Sequence, residues 1–262
     1  MARIVAVANQ KGGVGKTTTT INLAASLALA DRRVLLVDVD PQGNLTSGVG
    51  QKGRASSAGT IYHALTSPEP SVDPTPFIIR TGVDHMDLIP ADRELTGAEI
   101  EMVTLPKREE RVRALLASVR GSYDYIFIDC PPSLGLLTLN ALVAADAVLI
   151  PLHCEYFALE GLADLVDTMR RVRAALNPAL DIEGVLLTMF DDRTNLGAQV
   201  ATDVRNFFKE KVFDTVIPRN VRLGEAPSHG MPVILYDVKS RGAEAYLALA
   251  REMLQRSAAT AA

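Results

Sequence analysis

The sequence lacks three features that mark whole classes of protein: abundant cysteine, long hydrophobic runs and an excess of positive charge. Its two cysteines, Cys130 and Cys154, lie in different segments, which fits a reducing cytosol better than a disulfide framework. No apolar run has the length of a membrane span, and the first eight residues are too short for a secretory leader. We therefore expect a cytoplasmic protein with no membrane partner.

The charge balance limits a role with nucleic acid to a local patch. The 262 residues include 27 Lys and Arg against 31 Asp and Glu, a formal net charge of −4. A protein of this balance is not basic as a whole, so any DNA contact must depend on a locally basic surface. The 48% of hydrophobic residues is enough for one full core.

Short apolar runs alternate with longer helical patterns along the chain. Most of these runs are continuously apolar, which is typical of strands covered on both faces, as in a parallel sheet. The alternation predicts an α/β fold: one domain over residues 1–262, with an open, doubly wound, mostly parallel sheet and helices on both faces. We expect a short helix around residues 61–65 and a frayed tail over residues 257–262. The predicted strands are residues 4–8, 34–39, 86–89, 125–128, 147–152, 185–189 and 212–217.

A glycine-rich segment, NQKGGVGKTT over residues 9–18, directly follows the first predicted strand and precedes a helical pattern. In this context glycines let backbone N–H groups converge on phosphate oxygens, and the helix N-terminus adds partial positive charge. Lys16 would reach the β- and γ-phosphates of a nucleotide, and the Thr17 hydroxyl would ligate Mg²⁺. The alternative is a glycine-rich turn with no ligand. The loop departs from the general P-loop pattern at Gln10, where glycine is usual, and carries a second lysine, Lys11.

Four segments in order resemble the motifs of the ParA/MinD family of P-loop ATPases, over residues 2–255. KGGVGKTT (residues 11–18) is similar to the deviant Walker A motif, VDVDPQGN (37–44) to the second motif and IFIDCPP (126–132) to the Walker B strand. TVIPRNVRL (215–223) resembles the nucleotide-base segment of the chromosome-partitioning, or Soj, branch. The resemblance implies a P-loop NTPase fold and a Mg²⁺-dependent ATPase that binds ATP and ADP.

The resemblance also implies which residues hold the nucleotide. Catalytic roles fall on Lys11, Lys16 and Asp40, and metal binding falls on Thr17 and Asp129. The nucleotide contacts are Lys11, Gly12, Gly13, Val14, Gly15, Lys16, Thr17 and Thr18 around the phosphates, with Pro218 and Asn220 beside the adenine.

Three carboxylates follow two predicted strands. Asp129 ends a buried apolar strand, where a carboxylate is costly without a cation or donors; Mg²⁺ would be its partner, unless Asp129 caps the next helix. Asp38 and Asp40 are two residues apart and should face the same side. In the family the position of Asp40 orients or activates the attacking water, whereas the position of Asp38 supports the site. The residues alone do not separate these roles, and a hydrogen-bonding role within the sheet is equally open for Asp38.

At Lys11 the resemblance implies that two copies of the chain form a homodimer. In the family the matching lysine crosses to the nucleotide of the other subunit, so that two ATP molecules lie between the subunits of a homodimer. This is the role of an arginine finger filled by a lysine in trans. The alternative is a solvated loop lysine.

The second part of the chain carries the positive charge. Residues 1–169 hold 14 basic and 20 acidic side chains, whereas residues 170–262 hold 13 and 11. The resemblance implies that the ATP-bound dimer binds double-stranded DNA without sequence preference, with Arg193 and Arg222 at implicated positions, and associates with the nucleoid. It also implies a ParB-type centromere-binding partner that stimulates hydrolysis. Further candidates for phosphate contacts are Arg219, Lys239 and Arg241, and Arg219 could instead serve the nucleotide.

Three other functions compete with chromosome partition. A MinD-like membrane ATPase needs a basic amphipathic C-terminal helix. The last helical segment instead has a mixed polar face and an apolar stripe that favours packing on the sheet, formed by Tyr246, Leu247, Ala250, Met253 and Leu254. A shared iron–sulfur cluster needs suitably placed cysteines, and Cys130 and Cys154 are better interpreted as buried thiols. A metabolic P-loop enzyme that transfers phosphate to a small molecule remains the alternative from a different class.

Overall fold

A computed structural model describes residues 1–69, 71–155, 158–191 and 195–261. Its described strands form one seven-stranded sheet in the order β3-β4-β2-β5-β1-β6-β7. β3 is antiparallel to β4, and the other pairs are parallel. The strands are β1 Arg3–Val7, β2 Val34–Asp38, β3 Ile79–Arg80, β4 Met86–Ile89, β5 Tyr125–Asp129, β6 Ala147–His153 and β7 Asp181–Thr188.

Helices connect the strands and cover both faces of the sheet. The α-helices are α1 Lys16–Ala28, α2 Asn44–Gly48, α3 Ile61–Thr66, α4 Leu95–Glu101, α5 Arg111–Leu116, α6 Leu136–Ala144, α7 Ala158–Ala175, α8 Asn195–Phe208, α9 Val221–Glu225, α10 Val233–Tyr236 and α11 Arg241–Ala261. Short 3-10 turns occupy Thr75–Phe77, Met102–Thr104, Arg108–Glu110, Lys209–Lys211 and Ala226–His229.

Two hydrophobic cores lie on opposite sides of the sheet because successive side chains of a strand point to opposite faces. In β1, Ile4 and Ala6 belong to the core that contains residues of α3 to α8. Val5 and Val7 belong to the other core, which contains residues of α1, α10 and α11. This arrangement confirms the predicted open, doubly wound α/β fold, and α3 confirms the short helix expected around residues 61–65.

The seventh predicted strand, residues 212–217, is wrong as a continuous strand. The backbone of the segment pairs with β7 through the isolated bridge between Val185 and Val212 and through two bonds, Phe213 N to Val185 O and Ile217 N to Leu187 O. The ladder is interrupted because the intervening N–H groups of Asp214 and Thr215 donate to the Glu252 carboxylate at 2.8 and 2.9 Å. β3 has only two residues and is not predicted by the apolar pattern of the sequence.

The C-terminal helix packs on α1 and the sheet, as expected. Of the stripe residues, Tyr246, Ala250 and Met253 are at most 2% exposed, and Leu247 and Leu254 are partly buried against the same core. Within the described ranges, no helix is both long and apolar enough to cross a membrane. Residues 257–261, for which the sequence predicts fraying, continue α11 as helix. Ser257 Oγ donates to Met253 O at 3.0 Å, and alanine, common in this tail, is the strongest helix former.

Candidate functional site

The loop between β1 and α1 is held in a cradle by glycine conformations and by anchors on both sides. Gly13 and Gly15 have φ values of 73° and 87°, in the left-handed region that a side chain disfavours. The buried Asn9 side chain donates to Pro151 O at 2.8 Å and accepts from Lys11 N at 3.0 Å. On the other side, Thr188 Oγ1 donates to Val14 O at 2.8 Å. These bonds tie the loop to the carboxyl ends of β6 and β7.

A cavity of about 940 Å³ opens over this loop at the carboxyl edge of the sheet. This is the place where ligands bind in open α/β sheets. Most of the predicted site residues line it: Gly12, Gly13, Gly15, Lys16, Thr17, Thr18, Asp40, Pro218 and Asn220. Of the others, the Val14 side chain is buried at 2% exposure and Asp129 is buried completely, behind the wall. The cavity is large enough for a nucleotide.

The two lysines of the loop have different surroundings. Lys16 is 7% exposed and its Nζ donates to Lys11 O at 3.1 Å, under the loop. Burial lowers the pKa of Lys16, against the opposite effect of the Asp129 and Asp40 carboxylates. Lys11 does not line the cavity, and its Nζ pairs with Glu155 on the segment after β6. Lys16 is thus the cavity lysine, and the action of Lys11 on a nucleotide stays a prediction.

Asp129 lies at the end of β5 directly beneath the start of α1. It accepts hydrogen bonds from Thr17 Oγ1 at 2.7 Å and from Thr20 Oγ1 at 3.1 Å. Burial, together with the charge of Asp38, raises the pKa of Asp129 to about 8. Capping of the next helix is not its role, because α6 begins only at Leu136.

Asp38 is a structural anchor for the segment that follows β2. Its carboxylate is fully buried and accepts from Thr46 N at 2.9 Å, Thr46 Oγ1 at 2.7 Å and Asp40 N at 3.1 Å. Thr46 lies in α2, and its hydroxyl also accepts from Ala91 N at 3.0 Å. Burial raises the pKa of Asp38 to about 6 in spite of these bonds. The geometry therefore gives Asp38 a hydrogen-bonding role, although its partners lie in α2 and in the segment after β2 and not within the sheet.

Asp40 is in contact with the cavity, whereas Asp38 is buried away from it. It lines the cavity wall, and Gln42 N donates to its Oδ1 at 2.9 Å. That bond orients the carboxylate while leaving lone pairs for a further donor, such as a water molecule. Of the two acids of the second motif, Asp40 is the one that can contact a bound molecule.

The residues present fit a magnesium ion. Thr17 lines the cavity, and its hydroxyl lies against Asp129, a buried carboxylate with a strongly raised pKa. Hydroxyl and carboxylate oxygens are the ligands that Mg²⁺ prefers, with several waters retained. Such an ion would offset the cost of burying carboxylates close together. Thr17 would hold it directly and Asp129 from behind.

The residues proposed for the base lie on the opposite wall. Pro218 follows the segment that runs beside β7, and Asn220 caps α9 by accepting from Arg222 N at 3.0 Å. Arg219 also lines the cavity, which favours the nucleotide role that the sequence left open for it. The capping bond engages the Asn220 carbonyl, so its NH₂ group is the better donor to a ligand.

Of the candidate DNA contacts that the structure describes, Arg222, Lys239 and Arg241 do not line the cavity. Arg193 falls outside the described residues. Arg222 is exposed, but its guanidinium pairs with Glu225 at 2.7 Å and with Asp237 at 3.2 Å. Lys239 and Arg241 are exposed near the start of α11. Arg222 would have to exchange a carboxylate for a DNA phosphate in order to bind one.

Sequence reasoning missed several residues that complete the site. Thr20 had a signal, because it lies one helical turn after Lys16 and Thr17 and shares their face. Asn9, Thr46 and Glu155 had none, since each pairs with a residue of a different element: Pro151 of β6, Asp38 of β2 and Lys11 of the phosphate loop. Cys130 and Cys154 are free and buried, as interpreted from the sequence.

Known proteins place this architecture in a family. Residues 2–182 match the model of a family described as an AAA domain. The chain is 57% identical to the chromosome partitioning protein ParA of Myxococcus xanthus, over 98% of this chain and 89% of that protein. It is also 57% identical to the sporulation initiation inhibitor protein Soj of Bacillus subtilis, over 97% and 98%.

A solved structure shares both fold and sequence. Cobyrinic acid a,c-diamide synthase from Mycobacterium smegmatis, with bound ADP and magnesium, superposes with a TM-score of 0.83 at 38% identity, over 97% of this chain and 95% of that one. The identity to the partition proteins is higher and covers nearly the whole chain, with the phosphate loop, the buried acid and the cavity in place. The chain therefore belongs to the ParA/MinD family of deviant Walker A ATPases, in its chromosome-partitioning ParA/Soj branch.

Proposed function

We propose that this protein is a Mg²⁺-ATP-dependent switch that segregates chromosomes or other replicons. ATP closes a homodimer around two nucleotides, and the dimer binds double-stranded DNA without sequence preference. A ParB-type centromere-binding protein stimulates hydrolysis to ADP and phosphate, which returns the protein to monomers and releases it from DNA. The protein works in the cytoplasm, associated with the nucleoid.

Within one subunit, the residues of the cavity divide the work of phosphoryl transfer, which needs positioning and charge neutralisation above all. The loop N–H groups and Lys16 hold the phosphates, and Pro218 and Asn220 hold the adenine. Mg²⁺ supplies neutralisation of the phosphate charge when bound beside Thr17. Asp40, oriented by Gln42 N, positions the attacking water, and Asp38 keeps the Asp40 loop in place through Thr46.

The main support for an ATP-dependent dimer is that the two lysines of the loop lie in different places. Lys16 already lies under the phosphate cradle, whereas the Lys11 ammonium lies outside the cavity wall, paired with Glu155. A cation in that position can neutralise charge on a second molecule. In two facing copies, Lys11 of each copy would therefore contact the triphosphate bound to the other copy. This contact would make dimerisation depend on ATP.

DNA binding in this proposal depends on phosphate contacts from the basic second part of the chain. Arg193 and Arg222 are the proposed contacts. A single subunit offers few such groups, so joining two subunits doubles the number of phosphates met and strengthens the salt dependence of binding. Nucleotide state and DNA affinity are coupled for this reason.

Light scattering of the pure protein tests the proposal. The mass is measured with Mg²⁺-ADP, with Mg²⁺ and a non-hydrolysable ATP analogue, and with the analogue plus a random-sequence duplex. We expect a monomer, a dimer and a DNA-bound dimer in turn. A monomer that ignores both the analogue and the duplex would refute the proposal.

The name of the solved relative favours one alternative, a metabolic enzyme that uses ATP on a small molecule. Such an enzyme would not need DNA or a protein partner for turnover. ATP hydrolysis that stays the same with a duplex and with a ParB-type protein, but rises with a small acid substrate, would favour this alternative. The 57% identity to two partition proteins supports the switch instead.

A further inference from the structure

The loop after β1 and the segment after β6 are joined by an ion pair that the phosphate-binding role does not require. β1 and β6 are neighbouring strands, so their carboxyl ends bring Lys11 and Glu155 together across 144 positions of sequence. Lys11 Nζ pairs with Glu155 Oε2. The other carboxylate oxygen, Oε1, lies 3.1 Å from Nδ1 of His153.

Glu155 is built to attract cations at this place. The hydrogen bond from Lys11 lowers the pKa of Glu155, and the charge of Arg219 acts in the same direction. Burial lowers the pKa of His153, so its imidazole is chiefly neutral at pH 7 and leaves Lys11 as the full positive charge in contact. Half of the Glu155 side chain and a third of that of Lys11 are exposed, so the pair lies at the surface and can be opened.

We propose that Glu155 is a positioning residue that holds Lys11 within its own subunit until a triphosphate in a second copy of the chain takes its place. This inference rests on the proposed ATP-dependent dimer. A carboxylate that stayed on Lys11 while Lys11 met a phosphate would bring two negative charges close together, which is unfavourable. Lys11 must therefore leave Glu155 when the dimer closes.

This change of partner, in which Lys11 leaves Glu155 for a phosphate, is more favourable when the second copy holds ATP than when it holds ADP. A terminal phosphate carries more charge than a carboxylate and competes well for the ammonium. Without that phosphate, Lys11 returns to Glu155 and the monomer is restored. Glu155 thus lowers the affinity of the two copies for each other, and it increases the difference in that affinity between the ATP-bound and the ADP-bound protein.

Sedimentation velocity across a range of protein concentrations tests this inference with Mg²⁺ and a non-hydrolysable ATP analogue. Glu155→Gln removes the charge and keeps the shape, so the dimer should tighten by about 2- to 30-fold, the factor for two exposed ion pairs that no longer need to break. Glu160→Gln, an exposed acid on α7 a few residues away, makes the same charge change and should leave the dimer as in the unaltered protein.

The outcomes separate this inference from the function on which it rests. An unaltered protein that dimerises, with Glu155→Gln equal to it or weaker, overturns the positioning role and leaves the switch standing. A Glu155→Gln dimer that stays equally tight when Lys11→Ala is added also overturns it, because the carboxylate would then act by general repulsion and not through Lys11. Monomers in every sample refute the switch, and the inference falls with it.

Discussion

Replacing Asp129 with asparagine should stabilise the nucleotide-free protein at neutral pH. The carboxylate is fully buried, and burial with the charge of Asp38 raises its pKa to about 8. In an unfolded chain the same group ionises near pH 4. Between about pH 4 and pH 8 the folded protein holds a proton that the unfolded chain has released. The free energy of unfolding therefore falls as the pH rises through this range.

The size of the effect follows from the interval between the two pKa values. At pH 7 the solution is about 3 pH units above the unfolded pKa, which makes the penalty about 4 kcal/mol. Asparagine avoids this penalty, but its NH₂ group replaces an oxygen that now accepts from Thr17 or Thr20, at a cost of about 1 kcal/mol. We expect a net gain of about 3 kcal/mol at pH 7 and of less than about 1 kcal/mol at pH 5.

Urea denaturation at pH 5 and pH 7, with EDTA and without nucleotide, measures this difference by linear extrapolation. Asp164→Asn is the matched control, because Asp164 is exposed on α7 and its change should leave stability the same at both pH values. A gain for Asp129→Asn that is equal at pH 5 and pH 7 would refute the reasoning, as would a loss at pH 7.

The remaining substitutions separate binding from turnover and from DNA contact. Lys16→Ala removes the cation under the phosphate loop, so the affinity for ATP measured by calorimetry should fall by at least about 100-fold, as for two lost charged hydrogen bonds; unchanged affinity would contradict its role. Asp40→Ala should keep ATP binding and the dimer while hydrolysis, followed by phosphate release, falls by about 100-fold; monomers with ATP in sedimentation would count against this. Arg193→Ala combined with Arg222→Ala should weaken DNA retention and flatten its dependence on salt by a slope of about 2 per subunit; gel shifts like those of the unaltered protein across a salt series would exclude this patch.

Local patterns were enough to predict the central part of the site. The cradle needs only a strand, a glycine-rich turn and a helix in succession, and these are visible in consecutive residues. The position of Asp129 at the end of a buried strand likewise follows from hydrophobic patterning. The doubly wound architecture follows from the same alternation and is confirmed by the two cores on opposite faces of the sheet.

Contacts between distant loops could not be predicted, because they depend on strand order. Asp38 and Asp40 look alike in sequence, and only the placement of Thr46 beside Asp38 separates their roles. The pairing of Arg222 with Asp237 depends on how α9 and α10 pack, and it removes much of the free charge that the sequence suggested. Residues 212–217 have the composition of a strand, but two of their N–H groups donate to the Glu252 carboxylate on α11 and not to β7.

The two buried acids at the ends of β2 and β5 link ligand binding to the stability of the folded protein. Asp38 and Asp129 lie side by side at the ends of β2 and β5, and burial raises the pKa of each. A cation that binds the folded protein only, at 100 times its dissociation constant, adds about 2.7 kcal/mol of stability. Mg²⁺-nucleotide should therefore raise the unfolding temperature of the unaltered protein clearly more than that of Asp129→Asn, which has lost the charge that the cation offsets. Equal shifts for both proteins in a thermal melt would mean that Asp129 does not contribute to the metal site, and its raised pKa would then be a cost with no compensation from a ligand.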